Sequence, residues 1–262
     1  MKYNIIISNS DLSVKLANYI KTKIKLEFDE SNPDIIIAIG GDGTIIKASH
    51  KYPKCILFGI HTGHLGFYAN YFEEDVDLLI NDINNNNYNV YEYNMLKAEI
   101  VTEDNIIEDY ALNEVTIVSP LRTFIIDVFI DDSYLERYRG TGLCISTSSG
   151  STAYNKSLHG SVLDPSICAM QLTEIASINS NAYRTLGSPL VLSKNRTISL
   201  KTIERDFGKE VFITVDHISY SINNLKSLNI SYDNTIIKMA YHKSDDFLGR
   251  IRRTFLSLDN NK

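Results

Sequence analysis

The sequence predicts an α/β domain built on a doubly wound parallel sheet, then an all-β sandwich, with a final helix returning to the first domain. Three observations carry this. Over residues 1–83, short β-branched runs alternate with segments of helical periodicity, the pattern of a parallel sheet with crossover helices. Beyond residue 90 the helical period nearly disappears and short strand-like runs follow one another between turn residues. Residues 245–258 then regain the helical period, with Phe247, Leu248, Ile251, Phe255 and Leu258 on one side. The predicted domains are residues 1–95 plus 245–262, and residues 96–244.

Residues 3–8 form a β-branched run closed by Asn9 and Ser10. Leu12, Leu16, Tyr19, Ile20 and Ile24 then recur near helical spacing, with Ser10 or Asp11 placed to cap the start. After Pro33, residues 35–39 are an unbroken apolar run, as a strand buried on both faces requires. A short helix is predicted after Gly43, a strand over 55–60, and a helix over 73–83 with acids in its first turn, where they favour the helix dipole. The four asparagines at 84–87 read as a linker or loop between domains. Strands are predicted over 90–101, 110–118, 124–130, 190–200, 211–222 and 230–241. One helix interrupts them over 165–176, where Ile167, Met170, Gln171, Glu174 and Ile175 give a partly apolar face.

The apolar share of 44% and charged share of 22% are those of an ordinary globular protein. A formal net charge of -6 argues against nucleic acid and acidic membranes as partners. The densest basic stretch, Arg250, Arg252 and Arg253, reads as a solvated helix face. Cys55, Cys144 and Cys168 form no CxxC pair, and no His cluster has metal-ligand spacing. Cys55 and Cys144 lie in strand-like surroundings and are expected as buried free thiols, which suits a reducing, cytoplasmic setting. No apolar run approaches the roughly 18 residues of a membrane helix.

The most informative segment is IIIAIGGDGT at 35–44. A buried strand ending in glycines delivers bare backbone N–H groups to the carboxyl end of a sheet, where α/β proteins bind ligands and phosphates. It is not a dinucleotide fingerprint, which would need glycine at Ile46, nor a P-loop, which would need Gly-Lys-Ser/Thr. Asp42 sits inside the turn, where a carboxylate is repelled by phosphate unless a metal or a donated hydroxyl compensates. That position suits a proton acceptor in phosphoryl transfer.

GGDGT at 40–44 resembles the signature of NAD kinases, shared more loosely with diacylglycerol kinases and phosphofructokinases. HTGHLGFY at 61–68 is similar to the family's second glycine-rich loop, and Asn113-Glu114 to its Asn-Glu pair. YRGTGLCISTSSGSTAYNKSLHG at 138–160 resembles its hydroxyl-rich loop; the likeness continues through AMQLTEIAS, YRTLGSPL and the VDH triplet at 215–217.

The resemblance implies transfer of a phosphoryl group from ATP or polyphosphate to the 2′-hydroxyl of the adenosine ribose of NAD. It also implies a divalent cation, Mg2+, with the donor, and a homo-oligomer, commonly a tetramer. Asp42 would be the proton acceptor, with Gly43 on the nucleotide and Lys47 at a phosphate. Phe67 and Tyr68 would stack near a base, and Asn113 and Glu114 would bind base and ribose hydroxyls. Arg139, Thr141, Thr152, Ala153, Tyr154, Asn155, Lys156, Ser157 and Ala176 would belong to the dinucleotide site, with Tyr183 and His217 as further candidates. Which residues would hold the metal is unknown from sequence. Three positions depart from the family pattern: Thr141 where many members carry aspartate, Ser148 where proline is frequent, and His159 in place of a glycine. Ser148 is expected to loosen its loop, and any positive φ at His159 would be strained. A lipid or sugar kinase would share the GGDG turn but not the later segments, and a non-catalytic NAD(P) sensor would have no use for Asp42.

Overall fold

The structure, a computed structural model, describes residues 1–63 and 66–256. Its chain forms two compact units, residues 1–93 with 236–262, and residues 94–235. The first unit opens with β1 (Lys2–Ile7), α1 (Asp11–Lys23), β2 (Glu27–Phe28), β3 (Ile35–Gly40), α2 (Asp42–Lys51), β4 (Ile56–His61), β5 (Tyr71–Phe72) and α3 (Val76–Asn85). Its strands run parallel in the order β4-β3-β1-β2, the predicted α/β architecture. All six residues of β3 are buried, because β1 and β4 flank it and α1 and α2 pack on it. Ser10 caps α1 by accepting from the Ser13 amide at 3.1 Å.

The four asparagines do not form a domain linker. They finish α3: Asn86 takes the left-handed cap conformation at φ 53, and the Asn87 side chain donates to the buried Asp82 carboxylate at 3.0 Å. Asparagine tolerates that backbone region better than most residues, which is why the run closes a helix.

The strands that follow are β6 (Tyr88–Thr102), β7 (Ile106–Ala111), β8 (Glu114–Val118), β9 (Phe124–Ile130), β10 (Ser133–Gly140) and β11 (Gly142–Ser146). After a one-turn helix α4 (Tyr154–Ser157) come β12 (Ala169–Ile175), β13 (Leu190–Ser193), β14 (Ile198–Thr202), β15 (Val211–Val215), β16 (Ile218–Ile222) and β17 (Leu225–His242). The chain passes between units inside β6 and inside β17, at 93/94 and 235/236, whereas composition had suggested 95/96 and 244/245.

One six-stranded antiparallel sheet of the second unit runs β13-β12-β11-β8-β15-β16. Its inner face shares a single core with β6, β9, β14 and β17: Val115, Ile117, Leu143, Ile145 and Leu172 meet Leu96, Ile126, Leu200 and Leu228. This is the predicted sandwich.

Five segments differ from the sequence reading. Residues 165–176 hold β12 and no helix; a strand buried on both faces lacks the alternation that marks strands, so its spacing passed for helical. The run 110–118 breaks at Leu112-Asn113, 190–200 breaks into β13 and β14, and 211–222 folds into a hairpin at Asp216-His217. Residues 133–146 form β10 and β11, which were not predicted as strands.

The last helix belongs to the first unit, as expected, but its regular part, α5, covers only Phe247–Ile251 and continues as a wider π turn over Arg252–Leu256. Leu258 lies outside the described residues. Leu248 faces solvent, and Arg250 takes the inward position instead. The reading of a solvated basic face holds for Arg252 and Arg253, which are exposed, but not for Arg250, which is 3% exposed, its guanidinium 4.5 Å from the Tyr241 ring and 5.4 Å from the Phe67 ring. Arg253 pairs with Asp245 at 3.0 Å. Cys55 and Cys144 are buried free thiols, as expected, and Cys168 is half-buried.

Candidate active site

In the first unit the site is built on the end of β3. Gly40 is packed so tightly that a Cβ would lie 2.3 Å from Thr44 Oγ1, whereas Gly41 and Gly43 have open space around them. None of the three has positive φ, so their value here is bare backbone open to a ligand rather than conformational freedom. Asp42 is the first residue of α2. Its carboxylate accepts the Phe67 amide at 2.7 Å and the Tyr68 amide at 3.0 Å. Gly66 makes that possible: a Cβ there would sit 2.2 Å from Asp42 Oδ1. The Gly66 amide in turn donates to His61 Nε2 at the end of β4.

The second glycine-rich loop thus wraps its backbone around Asp42, although His64 and Leu65 within it lie outside the described residues. The rings of Phe67 and Tyr68 are buried, against Phe247, Phe255 and Tyr93, so both contribute amides to the turn and apolar surface to the core of this unit. Lys47 is exposed one turn into α2.

In the second unit, the break between β7 and β8 is the corresponding centre. The amides of Leu112, Asn113 and Glu114 all donate to the Asp216 carboxylate, at 2.7, 2.8 and 3.2 Å. The Leu112 carbonyl accepts from Thr147 Oγ1 at 2.6 Å and from Ser149 Oγ at 3.2 Å, and the Asn113 carbonyl from the Thr147 amide at 2.8 Å. Gly150 packs against Asn113, with a Cβ position 2.0 Å from its carbonyl oxygen. Three sequence motifs therefore meet at one point. The hydroxyl-rich segment is no solvated loop here; residues 146–151 are buried, and Thr147, Ser148, Ser149 and Ser151 spend their hydroxyls on backbone carbonyls.

Glu114 is the chemically unusual member. It is opposite Ser146 across β8 and β11, and both Glu114 Oε2 and Ser146 Oγ are buried with no hydrogen-bond partner among the described residues. Burial pushes the Glu114 carboxyl up to about 8, the Asp216 charge adds to this, and the Tyr154 amide opposes it.

Comparison with known proteins bears on both units. Residues 8–88 match the family model of the ATP-NAD kinase N-terminal domain, and residues 95–236 that of the ATP-NAD kinase C-terminal domain. The NAD kinase of Staphylococcus aureus (strain JH9) is 40% identical over 273 residues, covering 100% of both chains. The chain belongs to the NAD kinase family. It is accordingly a phosphotransferase. Two solved structures share the fold. A yeast NADH kinase complexed with NADH has a TM-score of 0.81 at 19% identity, covering 100% of this chain and 90% of that one. An NAD kinase from Archaeoglobus fulgidus in complex with ATP has a TM-score of 0.77 at 21% identity, covering 96% and 99%.

The remaining NAD kinase candidates fall into two groups at opposite ends of β11. Around Ser146 lie Asn113, Glu114 and the 147–157 segment, in which Thr152 and Ala153 are half-buried and Tyr154, Lys156 and Ser157 exposed. Asn155 is fully buried and spends its amide oxygen on Thr173 Oγ1 at 2.6 Å, so it supports this end from below. His217 is exposed at the tip of the β15–β16 hairpin. The Gly142 end, about 13 Å away along the strand, gathers Arg139, Thr141, Ala176 and Tyr183. The Arg139 guanidinium lies 3.8 Å from the Tyr183 ring, beside a cavity of about 410 Å³ that also includes Arg137 and Arg184. The Thr141 amide bonds to Ile175 at 3.0 Å, and Ala176 has φ 47.

Of the three departures, Ser148 does not loosen its loop. It is buried, its Oγ bonded to the Ala169 carbonyl at 2.9 Å and the Ala169 amide at 3.2 Å, which ties the turn to β12. His159 does carry positive φ, at 63. Sequence reasoning missed Gly66 and Asp216 as site residues; Asp216 stood in the VDH triplet, but a single strand over 211–222 left no turn for it to serve.

Proposed function

We propose that the chain phosphorylates the 2′-hydroxyl of the adenosine ribose of NAD, giving NADP, with Asp42 as the proton acceptor. The observation that carries this is the Asp42 carboxylate, fixed by the Phe67 and Tyr68 amides between two open glycines. A carboxylate has about four acceptor positions. Two are spent on backbone, which leaves others for a substrate hydroxyl.

Phosphoryl transfer has a loose transition state, so positioning and charge neutralisation supply most of the rate. The bare amides of Gly41 and Gly43 at the start of α2 suit donor phosphates. Among the described residues no group of three His, Cys, Asp or Glu forms a metal cage. On this reading the divalent cation, magnesium, enters with the donor, ATP or polyphosphate, since magnesium is commonly held through one or two carboxylates, substrate phosphates and water. Asn113 and Glu114 bind the ribose and base of NAD; the unpartnered buried Glu114 Oε2 and Ser146 Oγ are the kind of orphans that a ligand hydroxyl satisfies. Gly43, Lys47, Arg139, Thr141, the exposed part of 152–157, Ala176, Tyr183 and His217 complete the nucleotide contacts. The same reading makes the protein a cytoplasmic homotetramer; among the described residues no helix is long and apolar enough to cross a membrane.

The test is NADP formation by the purified protein from NAD, magnesium and either ATP or polyphosphate. Product with one or both donors is expected. Its absence with both, from folded protein that still binds NAD, would overturn the reading.

A further inference from the structure

We propose that Asp216 is a positioning residue for substrate, holding Asn113 and Glu114 in the geometry that receives the ribose from the tip of a separate hairpin. This rests on the reading of that pair as NAD-binding. In an extended strand successive amides point to opposite sides. Here three consecutive amides, those of Leu112, Asn113 and Glu114, converge on one carboxylate. The backbone is wound into a concave turn, and the anion at its centre supplies the acceptor for every N–H in it. The Asp216 amide returns a bond to the Glu114 carbonyl at 3.1 Å, so the hairpin and the pair are locked in both directions.

A residue serving only the hairpin would not need this chemistry. The turn places Asp216 at φ 50, which glycine or asparagine fills as well. Yet its carboxylate leaves the hairpin and bonds to another pair of strands. Asparagine offers one acceptor oxygen and would aim its NH2 at an amide N–H. The charge also reaches the working group. Glu114 faces Asp216 from the β15–β16 turn, Cys144 and Ser146 from β11, and the Tyr154 amide from the start of α4; of these, Asp216 supplies the negative charge that adds to burial in raising its pKa.

Kinetics of Asp216→Asn between pH 6 and 10 test this, with Glu114→Gln alongside. In the wild type the KM for NAD is expected to fall as pH rises through about 8, because ribose hydroxyls donate to the ionised carboxylate. Asp216→Asn should raise the high-pH KM for NAD about tenfold, leave kcat and the KM for ATP within about twofold, and move the midpoint to lower pH. A hairpin role alone would lower thermal stability without moving that midpoint. An unchanged KM and midpoint in folded Asp216→Asn overturns the proposal. Should Glu114→Gln weaken NAD binding and abolish the pH dependence while Asp216→Asn behaves as wild type, only the Asp216 role falls. Unaltered NAD affinity in Glu114→Gln overturns the underlying reading instead. Should Asp216→Asn fail to fold, hydrogen exchange on the wild type decides: amides 112–114 as protected as strand amides support the lock, and fast exchange overturns it.

Discussion

Both units wrap a loop around an aspartate carboxylate, and the two carboxylates are held in different surroundings. Asp42 accepts two amides and belongs to a turn whose flanking glycines carry no side chain over it. Asp216 accepts three amides, and the groups that the proposed function offers to NAD are its neighbours, Asn113 and Glu114. On the proposed function, the anchored group in the first unit is the reagent and in the second it is the support. Each centre also depends on a glycine that admits no methyl group, Gly66 against Asp42 and Gly150 against Asn113. A carboxylate bound by backbone amides is thus no sign of catalysis by itself. What distinguishes the two is how many acceptor positions remain and what stands beside them.

The comparison is broken most directly at Asp42. Asp42→Asn keeps the shape and one acceptor oxygen but cannot take a proton. Turnover should fall by about 10²–10⁴, while the Kd for NAD, measured by calorimetry, stays within about threefold. Turnover within tenfold of wild type would remove Asp42 from the base role.

Gly66→Ala comes next. The added methyl group, 2.2 Å from Asp42 Oδ1, must push the carboxylate off its amides. Misplacement of about 1 Å costs roughly 10² in rate, and the loss should fall on kcat. Gly150→Ala probes the second unit in the same way, since its methyl group would meet the Asn113 carbonyl at 2.0 Å. There the loss should fall on the KM for NAD instead. If both variants lost kcat alone, the division into reagent and support would be wrong.

Glu114 supplies a smaller effect with a definite sign. Its folded carboxyl titrates near 8, against an ordinary value of 4.5. Between those values the folded state keeps a proton that the unfolded state has released, so stability declines as pH rises through that window and levels off above it. Melting temperatures recorded from pH 4 to 9 should show this decline in the wild type. Glu114→Gln, which has no proton to lose, should show a flatter profile. Identical profiles would mean that Glu114 is ionised throughout in the folded protein.

The surroundings of Asp42 were easier to read from sequence than those of Asp216. Five apolar residues, four of them isoleucine, followed by Gly-Gly-Asp-Gly announce a strand and a bare turn that holds a carboxylate, all within ten consecutive residues. Asp216 lies about 100 residues from the amides it binds, a separation at which only strand order brings groups together. Asn113-Glu114 was legible through its resemblance to a family motif, yet the reason the pair is held was not. The break at Leu112-Asn113 shows only when the amide partners are known. The buried strand β12 and the inward Arg250 failed for a related reason: each depends on what covers a face, and spacing along the chain does not record that.

The smallest effect concerns the far edge of the second centre. His159 follows α4 at φ 63, with its amide bonded to the Lys156 carbonyl at 3.1 Å and its side chain exposed. The left-handed region costs a non-glycine residue about 1–2 kcal/mol, and glycine gives back about 0.4–1 kcal/mol through its freer unfolded chain. His159→Gly should therefore gain about 0.5 kcal/mol, a rise in Tm of about 1–2 °C for a chain of this size. The adjacent Gly160 cannot be exchanged in the same way, because a Cβ there would lie 2.2 Å from Asn155 Nδ2. Since α4 supplies the Tyr154 amide to Glu114, the variant also asks whether the edge of this centre is coupled to its middle. A raised Tm with an unmoved pH midpoint for NAD binding would place the support in Asp216 and the Thr147 segment alone. A midpoint that shifts with His159 would extend the support through α4.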